Sequence, residues 1–219
     1  MIALIVMTDG RRDCLVRTLE AFQHLEGPVT RLVIHDDSAD PDYKRWVRKA
    51  YPDYEYRGGR ERLGFAGAYH RAWKFLATVD EPYIFSIEDD MMLNRDVNLL
   101  ELAAILDANQ RVAQMALKRQ PWNDIEKHAG GIVESNPTAY SEWTDGPFEW
   151  LEHDLFFTTN AFLIRRTLVE EYEWPLGPRS EGMFSHRLMA DGWRFAFWGA
   201  KSSPPLLTHI GETRVGFGY

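Results

Sequence analysis

The sequence predicts a single α/β domain with a mostly parallel central sheet flanked by helices. Three observations carry this. Short apolar runs alternate with stretches of helical periodicity from the start of the chain to about residue 117, the pattern of strand–helix–strand units with right-handed crossovers. Two of those runs lead into adjacent acids, Leu32-Val33-Ile34 into Asp36-Asp37 and Tyr83-Ile84-Phe85-Ser86-Ile87 into Glu88-Asp89-Asp90, which puts the acids on one edge of the sheet. The 219 residues, 45% apolar and 26% charged, suit one sizeable core better than two.

In chain order, Ile2-Ala3-Leu4-Ile5-Val6-Met7 is a continuous apolar run, as expected of a strand covered on both faces. Leu15, Leu19, Phe22 and Leu25 then recur about one turn apart, and Gly27-Pro28 ends that helix. After the strand at Leu32, Asp40-Pro41 reads as an N-cap with proline in the first helical position. That helix carries Trp46 and Val47 inward and stops near Tyr51-Pro52, and Tyr54 to Arg57 is a weaker strand. The glycine-rich turn from Gly58 to Gly67 opens a helix with a stripe of Ala68, Ala72, Phe75, Leu76 and Val79. The strand from Tyr83 follows, then a helix from Val97 to Asn109 and a strand from Val112 to Leu117.

From Lys118 to about Asp154 the regular pattern stops, and Pro121-Trp122-Asn123, Gly130-Gly131, Trp143, Gly146-Pro147 and Trp150 take over. A long irregular stretch in a compact domain is usually functional, and its aromatics argue against disorder. It reads as loops and short strands covering a site. Leu155 to Ile164 reads as extended, Arg166 to Tyr172 and Glu181 to Ala190 as helices, and Trp193 to Trp198 as a strand. His209 stands alone in an apolar segment near the end.

Composition excludes several classes. With 33 acids against 25 Lys and Arg, the net charge of −8 argues against broad nucleic-acid binding, which depends on excess cations. The single Cys14 forbids an intramolecular disulfide and fits a reducing, cytoplasmic setting. Met1 to Met7 lacks the basic flank and length of a signal peptide, and no apolar run approaches a membrane span. Zinc-protease, serine-hydrolase and dithiol motifs are missing.

The acids after Ile87 are the most chemically telling feature. Three adjacent carboxylates cannot continue into a core, so the strand surfaces there, at the carboxyl end where open α/β sheets bind ligands. Alternation along the strand sends Glu88 and Asp90 to one side, a disposition that suits a hard divalent cation; a solvated acidic turn is the plain alternative. The turn from Gly58 is neither a Walker loop nor a dinucleotide fingerprint. It can offer backbone N–H groups with Arg60 or Arg62 to phosphates, or be a simple glycine loop. Asp36 and Asp37 suit hydrogen bonds from a base or ribose, or capping before Pro41.

The order of these pieces resembles a known family. It runs from a strand with Asp36-Asp37-Ser38, through Leu63-Gly64-Phe65-Ala66-Gly67-Ala68 opening a helix, to a strand with Glu88-Asp89-Asp90. Asn160-Ala161-Phe162-Leu163-Ile164-Arg165-Arg166, Glu181 six residues before Arg187, Gly192-Trp193-Arg194 and His209-Ile210-Gly211 follow. This looks like a GT-A (Rossmann-like) fold glycosyltransferase of the family-2 type, over roughly residues 1 to 211. The resemblance implies a single glycosyltransferase domain over 1–219, with a nucleotide-sugar-binding half (1–118) and an acceptor-binding half (119–219). It implies a nucleotide-sugar donor, usually UDP-linked, and Mn²⁺ or Mg²⁺. Thr8, Arg11, Asp36, Asp37, Arg62, Gly64 and Ala68 fall at the nucleotide-sugar positions. Glu88, Asp89 and Asp90 fall on the DxD-type motif, with Glu in place of the usual first Asp; Glu88 and Asp89 serve the nucleotide-sugar and Asp90 and His209 the metal. Glu181 falls on the catalytic base, in an ED motif only half present. Trp122, Trp150 and Asn160 are the acceptor-side candidates.

The implied activity is hexosyl or pentosyl transfer to an acceptor hydroxyl (glycan, protein, small molecule or modified DNA), with inversion. Two other readings stand beside it: a phage-type enzyme glycosylating a hydroxylated DNA base, using a strip of Arg57, Arg60 and Arg62, and a nucleotide-sugar-binding module without turnover. No membrane partner is expected.

Overall fold

Every residue of the strand β1 (Ile2–Thr8) is buried, because both of its faces are covered. Ile2, Leu4 and Val6 pack to one side of the sheet and Ala3, Ile5 and Met7 to the other, the two-residue alternation of a strand applied to an all-apolar run. The computed structural model describes residues 1–211; the expected domain end at 219 lies outside the described residues.

After β1 come α1 (Arg12–Glu20), a two-residue strand β2 (Leu25–Glu26), β3 (Val29–Asp36), α2 (Pro41–Ala50), β4 (Glu55–Gly58), α3 (Gly64–Leu76) and β5 (Tyr83–Glu88). Then follow β6 (Met91–Leu93), β7 (Val97–Asn98), α4 (Leu99–Ala108), β8 (Val112–Ala116) and α5 (Asp124–Ala129). The chain continues with β9 (Ser141–Asp145), β10 (Phe148–His153), β11 (Ala161–Arg165), α6 (Arg166–Glu171), α7 (Ser180–Ala190), β12 (Arg194–Trp198) and β13 (Leu207–His209). As expected, Asp40 caps α2, its side chain accepting from the Asp42 N–H, with Pro41 first in the helix.

The main sheet has the order β4-β3-β1-β5-β11-β8-β12-β10-β9. β4, β3, β1 and β5 are parallel neighbours, as are β8 and β12. β11 runs antiparallel between β5 and β8. It enters the sheet from the edge where β5 ends, Ala161 lying opposite Ile87, so it can only run the other way. α1, α2 and α4 cover one face around Leu15, Val47 and Leu102. α3, α6 and α7 cover the other around Trp73, Trp174 and Phe184. Each such fully buried side chain contributes about 1.5–3 kcal/mol relative to exposure.

The segment 118–154 holds more regular structure than its composition suggests. β9 and β10 form a hairpin that extends the sheet at one end, Phe148 opposite Asp145. Gly146 takes φ +57° in its turn, a left-handed conformation that glycine adopts without strain. The first helix also ends earlier than its apolar spacing predicts: Ala21–His24 is a short 3-10 turn, and Leu25 pairs with Val97 in a small parallel ladder.

Candidate active site

The carboxyl ends of β1, β3 and β5 are level. Thr8 lies opposite Asp36 and Met7 opposite Glu88. This brings three acid-bearing turns together at one edge, where open α/β sheets bind ligands. The amino end of β11 arrives at the same edge, with the Glu88 N–H donating to the Asn160 carbonyl at 3.3 Å.

The acid cluster divides. β5 ends at Glu88, so strand alternation does not reach Asp90, and the expectation that Glu88 and Asp90 share a side is not met. Tyr69 Oη on α3 donates to Glu88 Oε1 at 3.2 Å. Asp89 and Asp90 instead converge on Arg11, whose Nη1 donates to Asp90 Oδ2 at 2.6 Å and whose Nη2 pairs with Asp89 Oδ1. Thr8 Oγ1 donates to Asp89 Oδ2 at 2.6 Å. Burial lifts the Asp89 carboxyl to about 7, against the pull of Arg11 and Thr8. Asp90 is also buried, yet hydrogen bonds and charge from His209 and Arg11 hold it well below the usual carboxylate range.

His209 Nε2 lies 3.1 Å from Asp90 Oδ2. Gln120 fixes the histidine backbone from both sides, Nε2 donating to the His209 carbonyl at 3.1 Å and Oε1 accepting from its N–H at 2.8 Å. The Trp122 ring lies 4.1 Å from the imidazole, centroid to centroid. Glu126 anchors that loop by accepting from Arg119 at 2.6 Å and from the Trp122 N–H at 2.7 Å. Among the described residues no three His, Cys, Asp or Glu side chains form a metal-holding group. Asp90 Oδ1 and His209 Nδ1 are nevertheless buried without a hydrogen-bond partner. A carboxylate and an imidazole with unsatisfied capacity fit a divalent cation that takes its remaining ligands from phosphate oxygens and water.

Several expected nucleotide contacts are engaged inside the protein. Asp36 accepts from the Ser38 N–H at 2.8 Å, from Ser38 Oγ and from Tyr56 Oη. Asp37 accepts from the N–H groups of Leu63 and Gly64, the latter at 2.8 Å, and from Arg71. Asp37 therefore ties the start of α3 to the end of β3, while Asp40 alone caps α2. Of the N–H groups that the glycine turn was expected to offer to phosphates, those of Leu63 and Gly64 are taken by this carboxylate. Arg62 pairs with Asp9 at 3.0 Å and Arg57 with Glu55, so two of the three arginines of the expected basic strip have acidic partners. Ala68 is buried against the sheet.

A cleft of about 430 Å³ lies in front of this edge, lined by Glu88, Arg119, Trp122, Asn160, Glu181 and His209 among others. Glu181 sits in the first turn of α7, and its Oε1 accepts from Thr159 N at 2.8 Å and from Thr159 Oγ1 at 3.0 Å. Burial pushes its carboxyl above the usual range, against those two bonds. Trp150 is corrected. It is 3% exposed in the core, with Nε1 donating to Glu152 Oε1 at 3.0 Å, because its position on β10 faces the packed side of the sheet. Thr159, Gln120 and Tyr69 were missed. Thr158-Thr159-Asn160, a polar break before an apolar run, was the available signal for the first; the other two had none.

The family model described as glycosyl transferase family 2 matches residues 3–173. No curated protein sequence matches the chain. Among solved structures, a mannosyltransferase from Pyrobaculum calidifontis in complex with GDP-Man and Mn²⁺ is similar, with a TM-score of 0.63 at 16% identity over 97% of this chain and 57% of that one. GalNAc-T7 with UDP, GalNAc and Mn²⁺ gives a TM-score of 0.63 at 10% identity, over 94% of this chain and 45% of that one. TarS residues 1–349 from S. aureus gives 0.60 at 12% identity, over 95% and 60%. The chain thus spans about half the length of these structures, and at such identities the likeness establishes the fold.

Proposed function

The chain belongs to glycosyl transferase family 2, and from that premise we propose that it transfers a sugar, hexosyl or pentosyl, from a nucleotide-sugar to an acceptor hydroxyl, inverting the anomeric carbon. The observation that carries this is one cleft lined by both Glu88, beside the Asp89-Asp90 turn, and Glu181. Similar folds bind GDP-Man or UDP together with Mn²⁺, which supports a nucleotide-sugar, UDP-linked by the family resemblance, and a divalent cation, Mn²⁺ or Mg²⁺.

Asp90 and His209 would hold the cation, which when bound supplies positive charge opposite the departing diphosphate. Arg11 keeps Asp90 ionised and in place. Thr8, Arg62, Gly64 and Ala68 with Asp36 and Asp37 shape the nucleotide side, where the two aspartates act by fixing the loops. Thr159 orients Glu181, whose raised pKa suits a general base working near neutral pH. As the acceptor oxygen bonds to the anomeric carbon, its proton passes to Glu181. The bond from that carbon to the diphosphate oxygen breaks, and its electron pair leaves with the diphosphate. Asn160 and Trp122, which line the cleft, would contact the acceptor. In this reading residues 1–118 serve mainly the donor and 119–219 the acceptor.

Thermal melts with UDP-, GDP-, TDP- and CDP-sugars, each with Mn²⁺ and with EDTA, test the donor. A ligand bound only by the folded state raises Tm by mass action. A metal-dependent rise with one nucleotide class is expected; no rise with any of them would remove the assignment. Among the described residues no helix is long and apolar enough to cross a membrane; the single Cys14 supports a reducing, cytoplasmic setting.

A further inference from the structure

Beside the cleft lies a larger groove of about 1050 Å³, between α3 and the segment 176–182 that leads into α7. Phe65, Glu181 and Gly182 line both spaces and form the wall between them. The groove is mostly apolar, with Leu63 42% and Leu176 60% exposed on its sides. Its charged lining is one-sided for a chain of net charge −8: Arg71, Lys74 and Arg179 against Glu181 alone. Arg71 is held by Asp37 at 3.2 Å, and Lys74 lies 3.5 Å from Glu173. The exposed Arg179 guanidinium has no partner among the described residues.

Arg179 takes φ +60° at the N-cap of α7, a conformation uncommon for a residue with a β-carbon and characteristic of functional turns. The N–H groups of Ser180, Glu181 and Gly182 follow, in the first turn where a helix has no internal acceptors. Gly182 adds no side chain over them. Ser180 lines the groove, is 2% exposed, and has a hydroxyl without a hydrogen-bond partner. Glu181 is turned to Thr159, which lines the cleft and not the groove. Unmet donors, a helix N-terminus and an unpaired guanidinium are together the complement of an oxyanion.

Resting on the glycosyltransferase reading above, we propose that this groove is the acceptor subsite and that the acceptor is an alcohol bearing a phosphate group on an apolar body. The phosphate sits at the α7 N-terminus with Arg179 and Ser180. The apolar part lies along Leu63 and Leu176. The hydroxyl meets Glu181 from the side opposite the donor.

The test is an amide NMR titration with phenyl phosphate as the probe and phenol as its neutral control, on the full chain and on Arg179→Gly. Glycine suits φ +60°, so this variant removes the guanidinium without loss of fold. Saturable shifts at Ser180 and Gly182 with phenyl phosphate and not with phenol are expected, weakened roughly tenfold in Arg179→Gly as for a lost charge-assisted hydrogen bond. Nucleotide-sugar binding with Mn²⁺ is expected to stay unchanged in that variant. Equal phenyl phosphate affinity in both proteins, or shifts confined to the cleft around Thr159, would overturn the subsite. Phenyl phosphate binding as expected while no nucleotide-sugar binds would leave an anion site but overturn its acceptor role, together with the transfer reading.

Discussion

The backbone of Gly211 passes so close to Asp90 that a β-carbon at residue 211 would lie 2.3 Å from Asp90 Oδ2 and 2.7 Å from Arg11 Nη1. The Ile210 N–H donates to the Asp90 carbonyl at 2.8 Å. The end of the described chain is thus fitted against the carboxylate proposed to hold the cation, and only a residue without a side chain fits.

Gly211→Ala must therefore displace Asp90 or Arg11. The expected outcome is a rise of tenfold or more in the Mn²⁺ concentration needed for half-maximal turnover, with Tm lowered only slightly. Asp90→Asn, which keeps the volume and loses the charge, is expected to abolish metal-dependent turnover in a folded protein. Wild-type metal dependence in both variants would take Asp90 out of the cation site.

Glu181→Gln separates activity from stability. Loss of a general base costs on the order of 10²–10⁴ in kcat. Burial disfavours the ionised Glu181, so the native state binds its proton more tightly than the unfolded chain, and stability falls as pH rises from the ordinary carboxylate value through the raised one. Glutamine can still accept from Thr159 without that penalty. A Tm equal to or above wild type at pH 8, alongside the loss of turnover, is the expected pair of results. In the wild type, turnover is expected to fall on acidification as Glu181 gains its proton.

Arg11→Met removes the cation between two buried carboxylates. Asp89 is 0% and Asp90 2% exposed, and stripping the partner from a buried pair costs about 3–5 kcal/mol. Because Arg11 is itself partly open, a loss of about 3 kcal/mol in urea unfolding is expected. A loss below about 0.5 kcal/mol, typical of a surface substitution, would mean that Asp89 does not depend on Arg11.

His153 is packed among Tyr140, Phe156, Phe195 and Phe197, and burial lowers its pKa to about 4 from 6.5. The unfolded chain therefore binds more protons between those values, so this contribution to stability is present above pH 6.5 and is lost as pH falls toward 4. His153→Phe is expected to flatten the fall of unfolding free energy between pH 6.5 and 5 by roughly 1 kcal/mol per unit. An unchanged slope would assign the acid sensitivity to other groups, such as His35, whose pKa is lowered to about 3.

The fold was legible where a single local rule decides the outcome. The apolar run of β1, the Asp40-Pro41 cap of α2 and the acid-ended β5 each formed as expected. The rest depends on partners distant in sequence. β9 is exposed along its whole length, so it carries no apolar alternation; only Gly146-Pro147 marked its turn. Trp150 and Trp122 look alike in a Trp-rich segment, yet one faces the packed side of β10 and the other lies against the His209 ring at a tilt. Asp37 reads as a ligand contact or a local cap, and its bonds run to Leu63 and Gly64, 26 and 27 residues away. No periodicity reports such a pairing.

The placement of β11 between β5 and β8 also bears on synthesis. As the chain leaves the ribosome, β5 and β8 emerge well before residues 161–165, and β8 waits further for β12 at 194–198. Until then two buried strands present unpaired edges, the state in which nascent chains associate wrongly. The central sheet closes only after residues 194–198 have been made, which leaves an interval during synthesis in which a chaperone can cover the open edges of β5 and β8.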